Sequence, residues 1–356
     1  VENKLESGPI GEFKTSSSQW SILAVVRFFL AFTIVCGHIN HFKFASGTDA
    51  LTNILFTFGD FAGPSAVLGF FLISGFSIAS SISRNTKGFY QRRIFRIYPL
   101  YAISIIGSIV PFLLLGRSII DVPNGHFFRS GVLEIIKNLL FLQSFVTLPL
   151  SSNNVVWSLS IEVFFYLLAP LFNKTSSDKL IILIGFSSLV FALYPILERI
   201  LHPQSPLPDF RFLKHGLVVV FTLWTWLLGF LYFRYKSFFW SKIAVIILGC
   251  SLIILNHSHD GRFGVFAFFI TSVSVVYSSE IKLPQALIKL FDYLGNVSYP
   301  LYLFHFPTLI FSYSVLGSKN AFALVTSSLF VSIFFYHLVD VPIRLKKADD
   351  KKLLNC

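Results

Sequence analysis

Apolar stretches of about twenty residues, the length an α-helix needs to cross a bilayer, recur along this chain from Trp20 to Asp340. A sequence built this way has to bury those stretches in lipid or against one another. Composition agrees: 54% of the 356 residues are hydrophobic and only 13% charged, whereas soluble domains carry roughly 45–50% apolar and 25% charged residues. A water-soluble enzyme, a nucleic-acid-binding domain and a disordered chain are excluded. A lipid-exposed segment must satisfy its own backbone groups, and strand-like alternation is absent, so the stretches read as helices. The expected fold is an all-α integral membrane protein, a bundle of about ten transmembrane helices at roughly 20–38, 61–83, 97–116, 155–172, 179–198, 214–234, 238–256, 262–279, 297–315 and 320–340.

The formal charge of +12 needs no nucleic-acid partner, because membrane proteins concentrate Lys and Arg in their cytoplasmic loops. With the N-terminus inside, nineteen of the 29 Lys and Arg residues fall on the cytoplasmic side and nine on the other, leaving Arg27 within a span. That bias predicts both termini in the cytoplasm. Residues 1–19 read as a mobile N-terminal tail, 20–345 as the transmembrane domain and 346–356 as a basic cytoplasmic tail, with no soluble domain appended. The first apolar segment is expected to be a retained span rather than a signal peptide. In the longest outer loop, about 117–154, the stretch Val132–Val146 predicts a helix lying in the outer interface. Cys36, Cys250 and Cys356 have no metal-site or disulfide spacing, and no metal is expected.

Ionisable side chains inside spans are costly, about 2.5–3.5 kcal/mol at the bilayer centre on insertion scales, and so point to function. Arg27 and His38 lie in the first span, Glu162 in the fourth and His305 in the ninth, while Arg92, Arg93 and Arg96 stand at the cytoplasmic mouth of the third. At 1.5 Å per residue, Arg27 lies roughly 10 Å above the inner boundary, and His38 about 16 Å further out. Glu162 lies roughly 10 Å below the outer boundary by the same rise, where it could meet His38 and hold the imidazole as a proton acceptor. A structural Arg27–Glu162 ion pair with an interfacial His38 is the other reading of these residues. Arg93 and Arg96, three apart, share a helix face suited to forking onto phosphate oxygens or onto lipid headgroups. Gly69, Ser74, Gly75 and Ser77 suit close helix packing or a substrate passage beside the second span.

Five segments in order make the chain similar to the acyltransferase family 3 membrane proteins, which O-acylate sugars and other acceptors. They are RFFLAFTIVCGH (Arg27 to His38), GFFLISGF (Gly69 to Phe76), RRIFRIYPLY (Arg92 to Tyr101), WSLSIEVFFY (Trp157 to Tyr166) and SYPLYLFHFP (Ser298 to Pro307). The closing YHLVDVPIR carries Asp340 where the family usually has Glu. The resemblance implies an acyl-CoA donor, commonly acetyl-CoA, and a hydroxyl acceptor on the far side of the membrane. His38 would be the essential histidine. Arg27, Arg93, Arg96, Trp157, Ser158 and Glu162 occupy motif positions, and Arg92, Arg93, Arg96, Trp157, Ser158 and His305 are expected to bind the donor.

On this reading the nucleotide end of acyl-CoA docks on the inner arginines and its pantetheine arm rises between helices. His38, supported by Glu162, then takes the proton of the attacking hydroxyl, with direct attack and an acyl-histidine both open, while Arg27 steadies the donor or an oxyanion. The expected setting is a bacterial cytoplasmic membrane. The expected acceptor is a cell-surface glycan or glycolipid, such as lipopolysaccharide O-antigen or exopolysaccharide. A proton-coupled transporter or flippase of a polysaccharide precursor, and a structural partner in polysaccharide assembly, are the competing classes.

Overall fold

The structure, a computed structural model, describes residues 17–42, 50–201, 211, 213, 215–256 and 260–346. Residues 1–16 and 347–356 lie outside this set, and with them most of both expected tails. Residues 17–19 belong instead to the first helix, where Ser18 and Gln19 are buried and the Ser18 hydroxyl accepts from the Leu283 N–H at 3.1 Å.

Among the described residues the elements are α1 (Ser17–His38), α2 (Ala50–Gly59), α3 (Pro64–Arg84), α4 (Phe89–Gly107), α5 (Val110–Leu115), β1 (Ile119–Val122), β2 (Gly125–Phe128) and α6 (Val132–Leu139). They continue with α7 (Trp157–Lys174), α8 (Ser177–Leu201), α9 (Leu217–Tyr235), α10 (Phe239–Ile243), α11 (Gly249–Leu255), α12 (Gly264–Tyr277), α13 (Gln285–Ser314) and α14 (Ala321–Phe335). A π-helical turn, Ala244–Leu248, joins α10 to α11, and another, Tyr336–Asp340, follows α14.

Among the described residues seven helical segments are long and apolar enough to cross a membrane, consistent with a multi-pass, all-α membrane protein. Phe239–Leu255 and Gly264–Glu280 are shorter apolar helices. The 30-residue α13 falls outside the seven, its apolar run being diluted by Tyr, Ser, Pro and His. Burial is arranged for lipid. Helix α8 turns Ile181, Ile182, Phe186, Leu189, Ile196 and Ile200 outward, while Thr222, Thr225, Thr271 and Ser272 are buried inside. Such buried hydroxyls bond back to their own helix, as Thr222 does to Val218 O and Thr271 to Ala267 O, both at 2.8 Å.

Two packing seams organise the bundle, α1 against α13 and α3 against α9. The second is a backbone-to-backbone contact. A Cβ placed on Gly75 would lie 1.9 Å from Trp226 O, and one on Gly229 would lie 2.1 Å from Leu72 O. Only glycine permits this approach, so Gly75 serves packing, as the small residues of the second span suggested.

The outer loop departs from expectation twice. Residues 119–128 form an antiparallel hairpin pairing Ile119 with Phe128 and Val122 with Gly125. Its four-residue strands are too short to stand out as alternation. Asn124 ties it to the end of α1, its N–H donating to His41 O (3.1 Å) and its side-chain amide to Asn40 O (2.6 Å). The helix expected over Val132–Val146 stops at Leu139. Phe141 and Ser144 then take positive φ, and Asn138, Gln143 and Ser144 are buried. This second half turns into the bundle because Tyr101 stacks on Phe141 at 4.2 Å and the Gln143 amide donates to Tyr101 OH (2.8 Å) and Val156 O (2.9 Å).

Candidate active site

A cavity of about 110 Å³, open to the surface, lies among α1, α3, α4, α7 and α13. Helical spacing explains its lining. Ser158, Glu162 and Tyr166 lie four apart on one stripe of α7, Arg93 and Arg96 three apart on α4, and Asn296, Tyr299 and Tyr302 three apart on α13. Arg27 enters from α1, Ser74 and Ser77 from α3, and Arg344 from beyond α14. Four guanidinium groups thus face one carboxylate.

Each charged group has a distinct environment. Glu162 Oε1 accepts from the Ser74 hydroxyl at 2.8 Å and from the Tyr166 hydroxyl at 2.5 Å. The Trp226 indole N–H donates to Ser74 Oγ at 3.3 Å, fixing that serine. The Arg93 guanidinium lies over the rings of Phe89 (5.5 Å) and Tyr166 (5.7 Å), a cation–π clasp that holds it in place. Arg344 donates to Asn296 Oδ1 at 2.7 Å and pairs with Asp340 at 2.5 Å, so the departure from Glu at position 340 keeps its ionic partner. The Nε atoms of Arg27 and Arg93 are buried with no hydrogen-bond partner. Buried donors that lack acceptors are costly, and here they sit in the wall of a basic cavity. They fit a ligand with anionic oxygens, such as the phosphates of a coenzyme A thioester.

A second cluster lies further along the same helices. His38 is eleven residues beyond Arg27 on α1, a rise of about 16 Å. Its Nδ1 lies 2.9 Å from His305 Nε2, and His305 Nδ1 lies 3.0 Å from Leu301 O. A carbonyl can only accept, so His305 Nδ1 carries a proton and the neutral ring's Nε2 is an acceptor. His38 Nδ1 must then be the donor across the 2.9 Å contact. That leaves His38 Nε2 with a free lone pair, the arrangement a general base requires. His305 is fully buried and His38 half-buried, so His38 is the outward-facing member. Phe306 packs edge-on against His38 (4.9 Å), and on the outer side His41 stacks beside it (6.0 Å). The hairpin's Phe127 covers His41 (5.9 Å) and Phe306 (5.4 Å).

The expected partnership of Glu162 with His38 is corrected. The hydrogen bonds of Glu162 run to Ser74 and Tyr166 at the level of the arginines, and His305 occupies the place beside His38 that was assigned to the carboxylate. The ion pair expected as the alternative, Arg27–Glu162, is not among the salt bridges of the described residues either. His305, expected among donor-binding residues, is a ring partner of His38 instead. Arg92 turns from the cavity to the preceding loop, donating to Lys87 O and to Asn85 O (2.6 Å). Trp157 is buried edge-on against Phe71 (6.4 Å) and does not line the cavity, whereas Ser158 does. Arg27, Arg93, Arg96 and Glu162 come together as one group. The sequence reading missed Tyr166, Tyr299, Tyr302 and Arg344. The first three stand inside matched segments, and the spacing of Tyr166 from Glu162 (four) and of Tyr302 from His305 (three) was the available signal.

Comparison with known proteins follows the same lines. The model of the family described as "Acyltransferase domain" matches residues 20–337. ORF330 of Acidianus two-tailed virus, named as an acetyltransferase, is 24% identical over 238 residues, 63% of this chain and 66% of that protein. Acyltransferase MdmB of Streptomyces mycarofaciens is 31% identical over 158 residues, 43% of this chain and 38% of that protein. The matched region thus spans less than two thirds of either relative's length. No solved structure matches.

Proposed function

The chain belongs to acyltransferase family 3, and from that membership we propose that it is an integral membrane O-acyltransferase. It moves an acyl group, taken to be acetyl, from cytoplasmic acyl-CoA to a hydroxyl of a cell-surface glycan or glycolipid. The observation that carries this reading is the pairing of two tiers in one bundle: a basic cavity with unpartnered arginine Nε atoms, and beyond it an imidazole whose Nε2 is a free acceptor.

The positive-inside bias supports a cytoplasmic N-terminus and a cavity mouth on the cytoplasmic side. There Arg96 and Arg344 meet the nucleotide phosphates, and Arg27 and Arg93 hold anionic oxygens deeper in the cavity. The slender pantetheine arm carries the thioester toward the second tier. His38 Nε2 takes the proton of the acceptor hydroxyl as its oxygen attacks the thioester carbonyl, and returns that proton to the departing thiolate. General-base assistance of this kind is worth about 10²–10⁴-fold. Glu162, with Ser74 and Tyr166, sets the charge and shape of the donor cavity. A cytoplasmic membrane location follows from the CoA donor.

The test is incubation of the purified protein with radiolabelled acetyl-CoA and candidate glycans. Label transfer to glycan is the expected result. Absence of both transfer and donor hydrolysis, with uptake of glycan precursor into proteoliposomes instead, overturns it. Arg93→Ala and Arg96→Ala are each expected to raise the dissociation constant for CoA about tenfold, the effect of losing one charge-assisted hydrogen bond of about 1.5 kcal/mol. Titration calorimetry checks this, and unchanged affinity in both variants removes the phosphate assignment.

A further inference from the structure

Val67, Phe70, Ser158 and Tyr302 are among the residues that line the cavity, and neither His38 nor His305 is. Tyr302 is the side chain that belongs to both tiers. It lines the cavity, and its ring lies 6.1 Å from that of His305. A thioester rising through the cavity therefore meets the Tyr302 hydroxyl where it first comes within range of the imidazole pair.

That hydroxyl sits in a three-membered hydrogen-bond set with two possible proton arrangements. Tyr302 OH lies 3.0 Å from Val155 O and 2.8 Å from Ser158 Oγ, and Ser158 Oγ lies 3.3 Å from the same Val155 carbonyl. In one arrangement Tyr302 donates to Val155 O and Ser158 donates to Tyr302. In the other Ser158 donates to the Val155 carbonyl and accepts from Tyr302, so the Tyr302 proton is held by a neutral hydroxyl that a thioester oxygen entering the cavity can replace. The exchange needs only hydroxyl rotation. Phe70, with its ring 5.6 Å from that of Tyr302, keeps the phenol in place from the other side.

We infer that Tyr302 is a catalytic residue, its hydroxyl donating to the thioester carbonyl oxygen and stabilising the oxyanion formed during acyl transfer, with Ser158 as the positioning residue that frees it. This rests on the acyl-transfer reading. The acceptor oxygen forms its bond to the carbonyl carbon while its proton passes to His38 Nε2. The carbonyl π pair moves onto oxygen, where the Tyr302 O–H meets it. Collapse of the oxyanion breaks the C–S bond, and the thiolate takes the proton from His38. Every atom and charge is returned, and Tyr302 ends protonated as it began.

Tyr302→Phe keeps the ring against Phe70 and His305 and removes the donor. The expected result is a kcat lowered about 10²–10³-fold, the range for loss of one oxyanion donor, with KM for acetyl-CoA and the CoA dissociation constant within threefold of wild type. Infrared difference spectra of carbonyl-¹³C acetyl-CoA supply an independent readout on the wild-type protein. The bound thioester band is expected below its solution position, and to return to it in Tyr302→Phe. Ser158→Ala is expected to weaken the band shift while leaving CoA binding intact. A Tyr302→Phe enzyme with kcat within threefold of wild type, or a wild-type band at the solution position, overturns the assignment. A wild-type protein that neither binds CoA nor transfers label overturns the acyl-transfer reading itself, so the two failures are distinguishable.

Discussion

His38→Ala abolishes measurable acyl transfer while the protein still binds CoA. The loss should reach the 10²–10⁴-fold that a positioned base contributes. His305 has its Nδ1 committed to Leu301 O, and its Nε2, which loses its partner in this variant, belongs to a fully buried ring behind the position of His38. The informative companion is His305→Gln. A glutamine oxygen can still accept from His38 Nδ1 and preserve its tautomer, so this variant should retain more activity than His305→Leu, which offers no acceptor. Steady-state rates with labelled acetyl-CoA rank the four proteins. Near-normal turnover by His38→Ala, or equal loss in both His305 variants, would show that the hydrogen-bond chain from Leu301 does not set the base.

Gly75→Ala gives the largest effect on stability. Its methyl group would sit 1.9 Å from the carbonyl oxygen of Trp226, and that neighbour is backbone, unable to rotate away. Helices α3 and α9 have to separate by more than an ångström, a cost above the usual 1–3 kcal/mol of an overpacked core. Thermal unfolding in detergent should show a sharply lower midpoint, or the variant should fail to purify as a single species. Gly185→Ala on α8 is the control. Nothing lies within 4 Å of the added carbon there, and alanine is the better helix former by about 1 kcal/mol. Equal midpoints for the two variants would sink the close-contact account.

The sequence and the structure part company at instructive places. Apolar blocks located the major helices because a bilayer imposes length and composition together, and the i, i+3 and i, i+4 stripes on α4 and α7 carried Arg93, Arg96 and Glu162 to one wall. Depth arithmetic, however, fixes height along a helix and not direction around it. An uncertainty of a few residues in where α7 begins also displaces Glu162 by several ångströms. Those two gaps suffice to assign its carboxylate to His38 rather than to the tier of Arg27. His305 was visible as a polar residue in an apolar run, but its bond to Leu301 O arises from local helix geometry that composition does not report. The hairpin at 119–128 escaped notice for another reason: four residues per strand give too little alternation to detect, and its anchor is Asn124 bonding to backbone far away in sequence.

Helix α13 contains Pro300 and Pro307. Neither can donate to the helical ladder, and each crowds the carbonyl four residues earlier. Asn153 donates its side-chain amide to one of those carbonyls, Leu303 O, at 3.3 Å. The missing ladder bonds thus leave two joints in α13, over residues 296–300 and 303–307. Bending of this long rod concentrates at the joints, as expected where ladder bonds are missing. Tyr302 stands between the two joints and His305 within the second, so a swivel there changes the reach of the imidazole toward α1.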